Sequence, residues 1–234
     1  MEQEKTWFDE IEITCPKCGK VHNIPKYNFI NGTKEPELKK QILKGDIHHF
    51  DCDGEDCGIT IPCHYPMLYQ DDEKRCLIWY MPGLSDKQIA ELDVADVAEL
   101  VDGDIEDIKR RYRLRVVTSL NMLVEKILIF DQGLDDRTIE VLKVMLVTQF
   151  QHKYRNEQVN TIFLELIKGE LNYTVFFDKR EKVRVPFSRN QYDLEYRRYE
   201  KKFNENTKTG FAYIQGQWGI DMYTKIMKKV LKKK

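Results

Sequence analysis

Six cysteines constrain this chain most: Cys15, Cys18, Cys52, Cys57, Cys63 and Cys76, all in the first third of 234 residues. Cys15-Pro16-Lys17-Cys18-Gly19 spaces two thiols so that both can reach one metal ion, and Gly19 lets the backbone turn tightly behind the second. Ile11-Glu12-Ile13-Thr14 and Val21-His22-Asn23-Ile24 alternate like strands, which predicts a knuckle at the tip of a hairpin. A redox dithiol would call for a helix after the motif to lower the thiol pKa, so the strand-like run favours metal. A closed structural zinc site needs four ligands. The second pair is read as Cys52 and Cys57, in Phe50-Asp51-Cys52-Asp53-Gly54-Glu55-Asp56-Cys57-Gly58, again between strand-like runs and again ending in Cys-Gly. Its four intervening residues lie within the range that zinc loops use. Rival donors are close in sequence: His22, His48, His49, Cys63 and His64. Adjacent residues of an extended chain face opposite ways, which argues against Cys63 and His64 sharing an ion. Cys76 opens the apolar run Cys76-Leu77-Ile78-Trp79-Tyr80 and reads as a small buried hydrophobe. The fourth ligand stays open between Cys52 and a nearby histidine or cysteine.

Composition narrows the class. With 41% hydrophobic and 33% charged residues, a packed core under a charged surface is expected, not disorder or a coiled coil. No apolar run approaches the ~18 residues that cross a bilayer. Met1-Glu2-Gln3-Glu4-Lys5 lacks the basic start of a signal peptide. A cytoplasmic protein without a membrane segment is the expectation, in a compartment that disfavours disulfides.

Several blocks carry a resemblance. The two knuckles are followed by Tyr65-Pro66-Met67-Leu68-Tyr69-Gln70-Asp71, Leu77-Ile78-Trp79-Tyr80-Met81-Pro82, Tyr112 to Asn121, Lys126 to Phe130, and Gly133-Leu134-Asp135-Asp136-Arg137. Over roughly residues 8–150 this resembles the CpXC family, named for two Cys-Pro-x-Cys motifs and without an assigned function. The resemblance implies a zinc-ribbon-like module on Cys15, Cys18, Cys52 and Cys57. The second knuckle departs from the pattern, with no proline and two extra residues. Gln70 stands in the 65–71 loop where the family leads one to expect histidine, which argues against a catalytic role there.

The rest of the chain alternates helix and strand signals. Glu35 to Gly45 reads as a short helix, with Pro36 in its first turn and Gly45 as its stop. Strands near 47–51, 58–63 and 75–80 are expected to return to the ribbon sheet. Residues 81–108 hold nine Asp/Glu and one Lys and read as a solvated helix face or loop. After a strand at 112–117, Leu120, Leu123, Val124, Ile127 and Leu128 form one helical stripe, ended by Gly133. Asp135 or Asp136 caps a second helix bearing Ile139, Leu142, Met145, Leu146 and Phe150, so a helical hairpin is expected. Three strands over 161–187 suggest a meander, and Gly216 to Gly219 reads as a turn. The whole is α+β: a zinc-ribbon-like β module with a helical hairpin, then a β-meander and basic C-terminal helices. The expected domains are 8–152 and 160–234.

Charge is divided unevenly. Residues 179–234 carry 16 Lys/Arg against 6 Asp/Glu, and the remainder carries 22 against 33. Tyr192, Tyr196, Tyr199 and Phe203 form an aromatic stripe flanked by Arg197, Arg198, Lys201 and Lys202, and the last helix adds Lys228 and Lys229. Amphipathic packing explains such a stripe, whereas a phosphate-contacting face would use its charges for affinity and its rings for stacking. No dinucleotide fingerprint, Walker loop, nucleophile elbow or His-Glu-x-x-His motif occurs. The expected function is therefore non-enzymatic: zinc as scaffold, and a basic C-terminal surface for an unknown protein or nucleic acid. Two alternatives stand beside it, a metal-dependent enzyme with an open zinc position and an adaptor using the acidic 81–108 segment.

Overall fold

Ile11 and Ile13 alternate with acidic residues in β1 (Trp7–Thr14), which pairs antiparallel with β2 (Val21–Asn31) across the first knuckle. The computed structural model describes residues 7–101, 104–203 and 210–231, with side chains of the last helix as far as Lys228. The chain divides into two compact units, Met1–Val124 with Thr207–Ala212, and Glu125–Asn206 with Tyr213–Lys234. Both mix helices with sheet.

In the first unit, α1 (Pro36–Lys44) follows β2, with Pro36 in its first turn. Gly45 closes it at φ 84°, a left-handed geometry that glycine adopts without steric cost. The strands that follow do not all return to one sheet. β3 (His49–Asp51) and β4 (Thr60–Pro62) pair only with each other, because the second knuckle is the tip of their own ribbon. The segment read as a loop contains β5 (Met67–Asp71), every residue of which is buried. A strand covered on both faces loses the polar alternation by which strands are recognised. β5 joins β6 (Cys76–Tyr80) and β7 (Arg113–Val117) in a sheet of order β1-β2-β5-β6-β7, with β2–β5 and β6–β7 parallel.

The acidic stretch is more than a solvated surface. It forms α2 (Asp86–Ile89), a 3-10 segment at Val94–Leu100 and α3 (Ile105–Arg111). Val94, Val97, Val101 and Ile108 enter one core with Phe29, Leu68, Leu77, Leu114 and Phe211. Several acids cap these turns instead of merely solvating them: Asp93 accepts from the Ala95 N–H and Asp104 from the Asp107 N–H. Asp102 and Gly103 lie outside the described residues.

The second unit contains the end of α4 (Leu120–Asp131), then α5 (Asp136–Lys153), the antiparallel sheet β10-β9-β8, and two further helices. Gly133, at φ 64°, terminates α4, and the two candidate caps of α5 separate in role. Asp135 accepts from the Arg137 and Thr138 N–H groups, whereas Asp136 is buried and pairs with Lys126. The sheet strands are β8 (Val159–Ile167), β9 (Glu170–Phe177) and β10 (Val183–Pro186). Lys168 and Gly169, both at positive φ, make the two-residue turn between the first two. The final helices are α6 (Arg189–Tyr199) and α7 (Gln217–Leu231). Of the residues read as a turn at 216–219, Gly216 is one, whereas Gln217 to Gly219 begin α7. A Cβ on Gly219 would lie 3.1 Å from the Glu140 carbonyl oxygen and 3.2 Å from Val144, a close approach that a larger residue makes only if these neighbours give way.

Charges also enter this core. Lys126 donates to Asp136 (2.9 Å) and to the Ile214 carbonyl (2.7 Å). Lys143 bridges Glu125 (2.7 Å) and Glu140 (2.8 Å), and the Leu164 N–H donates to Glu125 (2.6 Å). All five side chains are buried. Burial pushes the Glu125 carboxyl above its ordinary range, and burial acts on Lys143 in the opposite sense from its two carboxylates, which win and raise it.

Candidate metal centre

The first knuckle turns because Gly19 takes φ 73° and donates its N–H to the Cys15 carbonyl, while Cys15 N–H reaches the Lys20 carbonyl. The second is built similarly on a longer loop. Cys52 N–H donates to Ile59, Cys57 N–H to Gly54, and Gly58 takes φ 56°. The two tips bring Cys15, Cys18, Cys52 and Cys57 together, every sulfur within 4.8 Å of the others. Cys15–Cys57 and Cys18–Cys52 are each 3.6 Å apart, too long for a disulfide. Four thiolates at a Zn–S distance of about 2.3 Å define tetrahedron edges of about 3.8 Å, so the spacing suits a tetrahedral ion. These four cysteines are positioned to bind a metal.

Backbone and charge both fit such an ion. A Cβ on Gly54 would lie 2.8 Å from the Cys18 sulfur and 3.3 Å from that of Cys52, so only glycine lets this loop close on the cluster. The Gly54 N–H donates to the Cys52 sulfur. The backbone N–H of Cys18, and after it that of Lys17, hold the Cys15 thiol down to about 6, against burial. Burial pushes Cys52 up to about 12 and raises Cys57 as well. Cys15 therefore gives up its proton readily, whereas Cys52 and Cys57 hold theirs until a cation offsets the charge.

His22, weighed in the sequence as a rival donor, and two lysines that the sequence did not single out surround the sulfurs. Buried His22 places Nε2 3.3 Å from the Cys52 sulfur and Nδ1 3.3 Å from Asp53, which in turn accepts from Lys20 (2.9 Å). Lys17 donates to the Cys57 carbonyl (2.8 Å). The alternation of β2 turns His22 to the buried face that it shares with Ile24.

Of the rival donors, only His22 lies against the sulfurs, and the others are engaged elsewhere. His49 Nδ1 meets the Gly45 carbonyl and His64 Nδ1 the Tyr80 hydroxyl. Cys63 packs with Ile24 and Tyr65, and Cys76 lies buried in β6. Replacing Cys63 with Ala and Cys76 with Val together should leave metal content unchanged by elemental analysis, at a modest packing cost. Loss of metal from that double variant would implicate one of them.

His48 is fully buried, its Nδ1 on the Cys63 carbonyl and its ring between Tyr65 and Tyr80. Burial pushes its pKa down to about 4 from the ordinary 6.5. Below pH 6.5 the unfolded chain takes up a proton that the folded chain refuses until about pH 4. Stability should therefore be intact above that window and fall through it as pH drops, by about 3 kcal/mol. A His48→Phe variant should lose this component of the pH slope in urea unfolding, and an unchanged slope would refute the assignment.

The family model described as CpXC protein matches residues 13–143, more than half of the chain and all four clustered cysteines. The chain belongs to the CpXC family. No curated protein and no solved structure matches this CpXC protein.

Elsewhere in it, the C-terminal residues expected to contact a partner are distributed less uniformly than their sequence suggests. Arg197, Arg198, Lys201, Lys202 and Lys228 are exposed, and the Lys229 side chain lies outside the described residues. Arg198 is paired to buried Glu195 (2.9 Å), and the Lys202 ammonium sits 5.2 Å from the Tyr199 ring centre. Tyr192 and Tyr199 are buried, so neither ring is open for stacking. Among the described residues, no helix is long and apolar enough to cross a membrane.

Proposed function

We propose that this CpXC protein is a non-enzymatic zinc protein in which one zinc ion on Cys15, Cys18, Cys52 and Cys57 is a scaffold, forming a zinc-ribbon-like module. The observation that carries this is the convergence of four sulfurs from two knuckles, with Gly54 held against them. Four thiolates complete a tetrahedral zinc shell and leave no position for a reactive water, which disfavours the enzymatic alternative. Four grouped thiols in ribbon tips, like the absence of disulfides at all six cysteines, accord with a reducing, cytoplasmic setting.

The proposal extends to a macromolecular partner met by the basic C-terminal surface. Exposed Arg197, Lys201, Lys202 and Lys228 support a charge-driven contact, while the buried tyrosines argue against base stacking. An acidic protein or a nucleic-acid backbone would satisfy that chemistry. Native mass spectrometry and ultraviolet absorbance of the purified full chain should find one zinc per chain, and a folded metal-free protein would overturn the scaffold. A salt titration against DNA and RNA tests the partner. Binding that weakens steeply with salt marks phosphate contacts, because each one releases counterions. No binding at low salt removes nucleic acid and leaves a protein.

A further inference from the structure

Three arginines outside the metal centre line one cavity. It measures about 470 Å³ and is bounded by Asp72, Arg75, Arg110, Arg111 and Tyr112, all in the first unit. Its floor is rigid. Tyr112 and Gln70 both donate to one oxygen of Asp72, and Asn31 donates to the other. The Arg111 guanidinium lies 5.1 Å from the Tyr112 ring centre.

Two of the arginines have a local explanation. Arg110 and Arg111 end α3, where cations complement the free carbonyls, and both pair with Asp107 at 2.7 Å. Arg75 has none. Its side chain is exposed and forms no ion pair among the described residues, yet its backbone takes φ 51° in the turn between β5 and β6. Glycine occupies that conformation without steric cost, whereas arginine is strained there. The Arg113 N–H on the Arg75 carbonyl (2.8 Å) fastens the turn, so a backbone that its own Cβ disfavours carries Arg75 into the cavity lining. Three guanidiniums against the carboxylates of Asp72 and Asp107 leave the region net positive.

We propose that this cavity binds a small molecule through a compact, multiply charged oxyanion, with Arg75 as the recognition residue. The guanidinium fork matches the oxygens of phosphate and of carboxylate alike. The cavity lies within the volume range of small-molecule sites and is more than a bare phosphate fills. The ligand class is therefore a phosphorylated metabolite or a polycarboxylate.

The test is calorimetric titration of the full-length protein, at low and at physiological salt, with pyrophosphate in one arm and citrate in the other. Saturable binding is expected in at least one arm, weakening with salt, and the tighter arm identifies the source of the oxyanion. Arg75→Gly removes the fork while relieving the backbone. It should weaken binding at least about tenfold while the melting temperature stays equal to or above that of the parent. Failure of both anions to bind more tightly than about 10 mM overturns the proposal, and so does binding that Arg75→Gly leaves unchanged.

Discussion

Cys15→Ser should strip the metal from the knuckles and unfold the residues around them. Cys15 is buried, and with Cys52 and Cys57 it packs against Phe50, Ile59 and Ile61, a cluster too small to stand as a core. Among the described residues the β3–β4 ribbon pairs with no other strand, so the proposed ion would join the packing of Phe50 as a main tie. Zinc binding to modules of this kind is worth about 10–16 kcal/mol, comparable to or above the net stability of a whole domain. Serine offers a poor ligand of nearly the same size, so the loss reports ligation and not packing. The measurements are zinc per chain and hydrogen exchange over residues 7–64. A variant that keeps stoichiometric zinc and full protection would refute the ligand assignment.

Lys126→Met should cost about 3–5 kcal/mol, because it takes the cation away from a carboxylate that stays buried. Lys126 has no exposed surface, and it links Asp136 to the Ile214 carbonyl. Methionine fills the space of the stem but leaves both oxygens without this donor. Lys126→Met combined with Asp136→Leu should recover much of the loss, since replacing both members of a buried pair by apolar groups is often close to neutral. Urea unfolding of the parent, both single variants and the double variant measures the coupling. A single-variant cost below about 1 kcal/mol would mean that the pair is solvated in solution.

Local patterns carried much of this fold. The spacing of Cys15 and Cys18, the stop at Gly45 and the strand-like runs of β8 and β9 depend on neighbours in the chain, and each was legible. The first thiol pair followed from spacing, and its companion from a second Cys-Gly loop between strand-like runs. What was illegible depended on distant residues. Glu125, Lys126 and Lys143 look like solvent-facing positions on helices, and only the Asp136, Glu140 and Leu164 groups that meet them explain their burial. β5 has no alternation because both its faces are covered. Gly219 resembles a turn residue until the Glu140 carbonyl beside it is known. Gly54 belongs to the metal centre through contacts across the two knuckles, and the same contacts single out His22 from the other rival donors, which no spacing within one knuckle reveals.

The parallel pairing of β2 with β5 has a kinetic consequence. Phe29 must find Leu68 across an excursion that contains α1 and the whole second ribbon. Such a long loop is entropically slow to close, and non-local pairing of this kind is the slow part of folding. A metal ion that first joined Cys18 to Cys52 would tether the middle of that excursion close to the start of β2. The path from Phe29 to Leu68 would then shorten from 39 residues to 27, which lowers the closure entropy by about 0.3 kcal/mol. Ion capture would therefore ease the closure of the central sheet slightly, and the β2–β5 pairing would remain its long-range step.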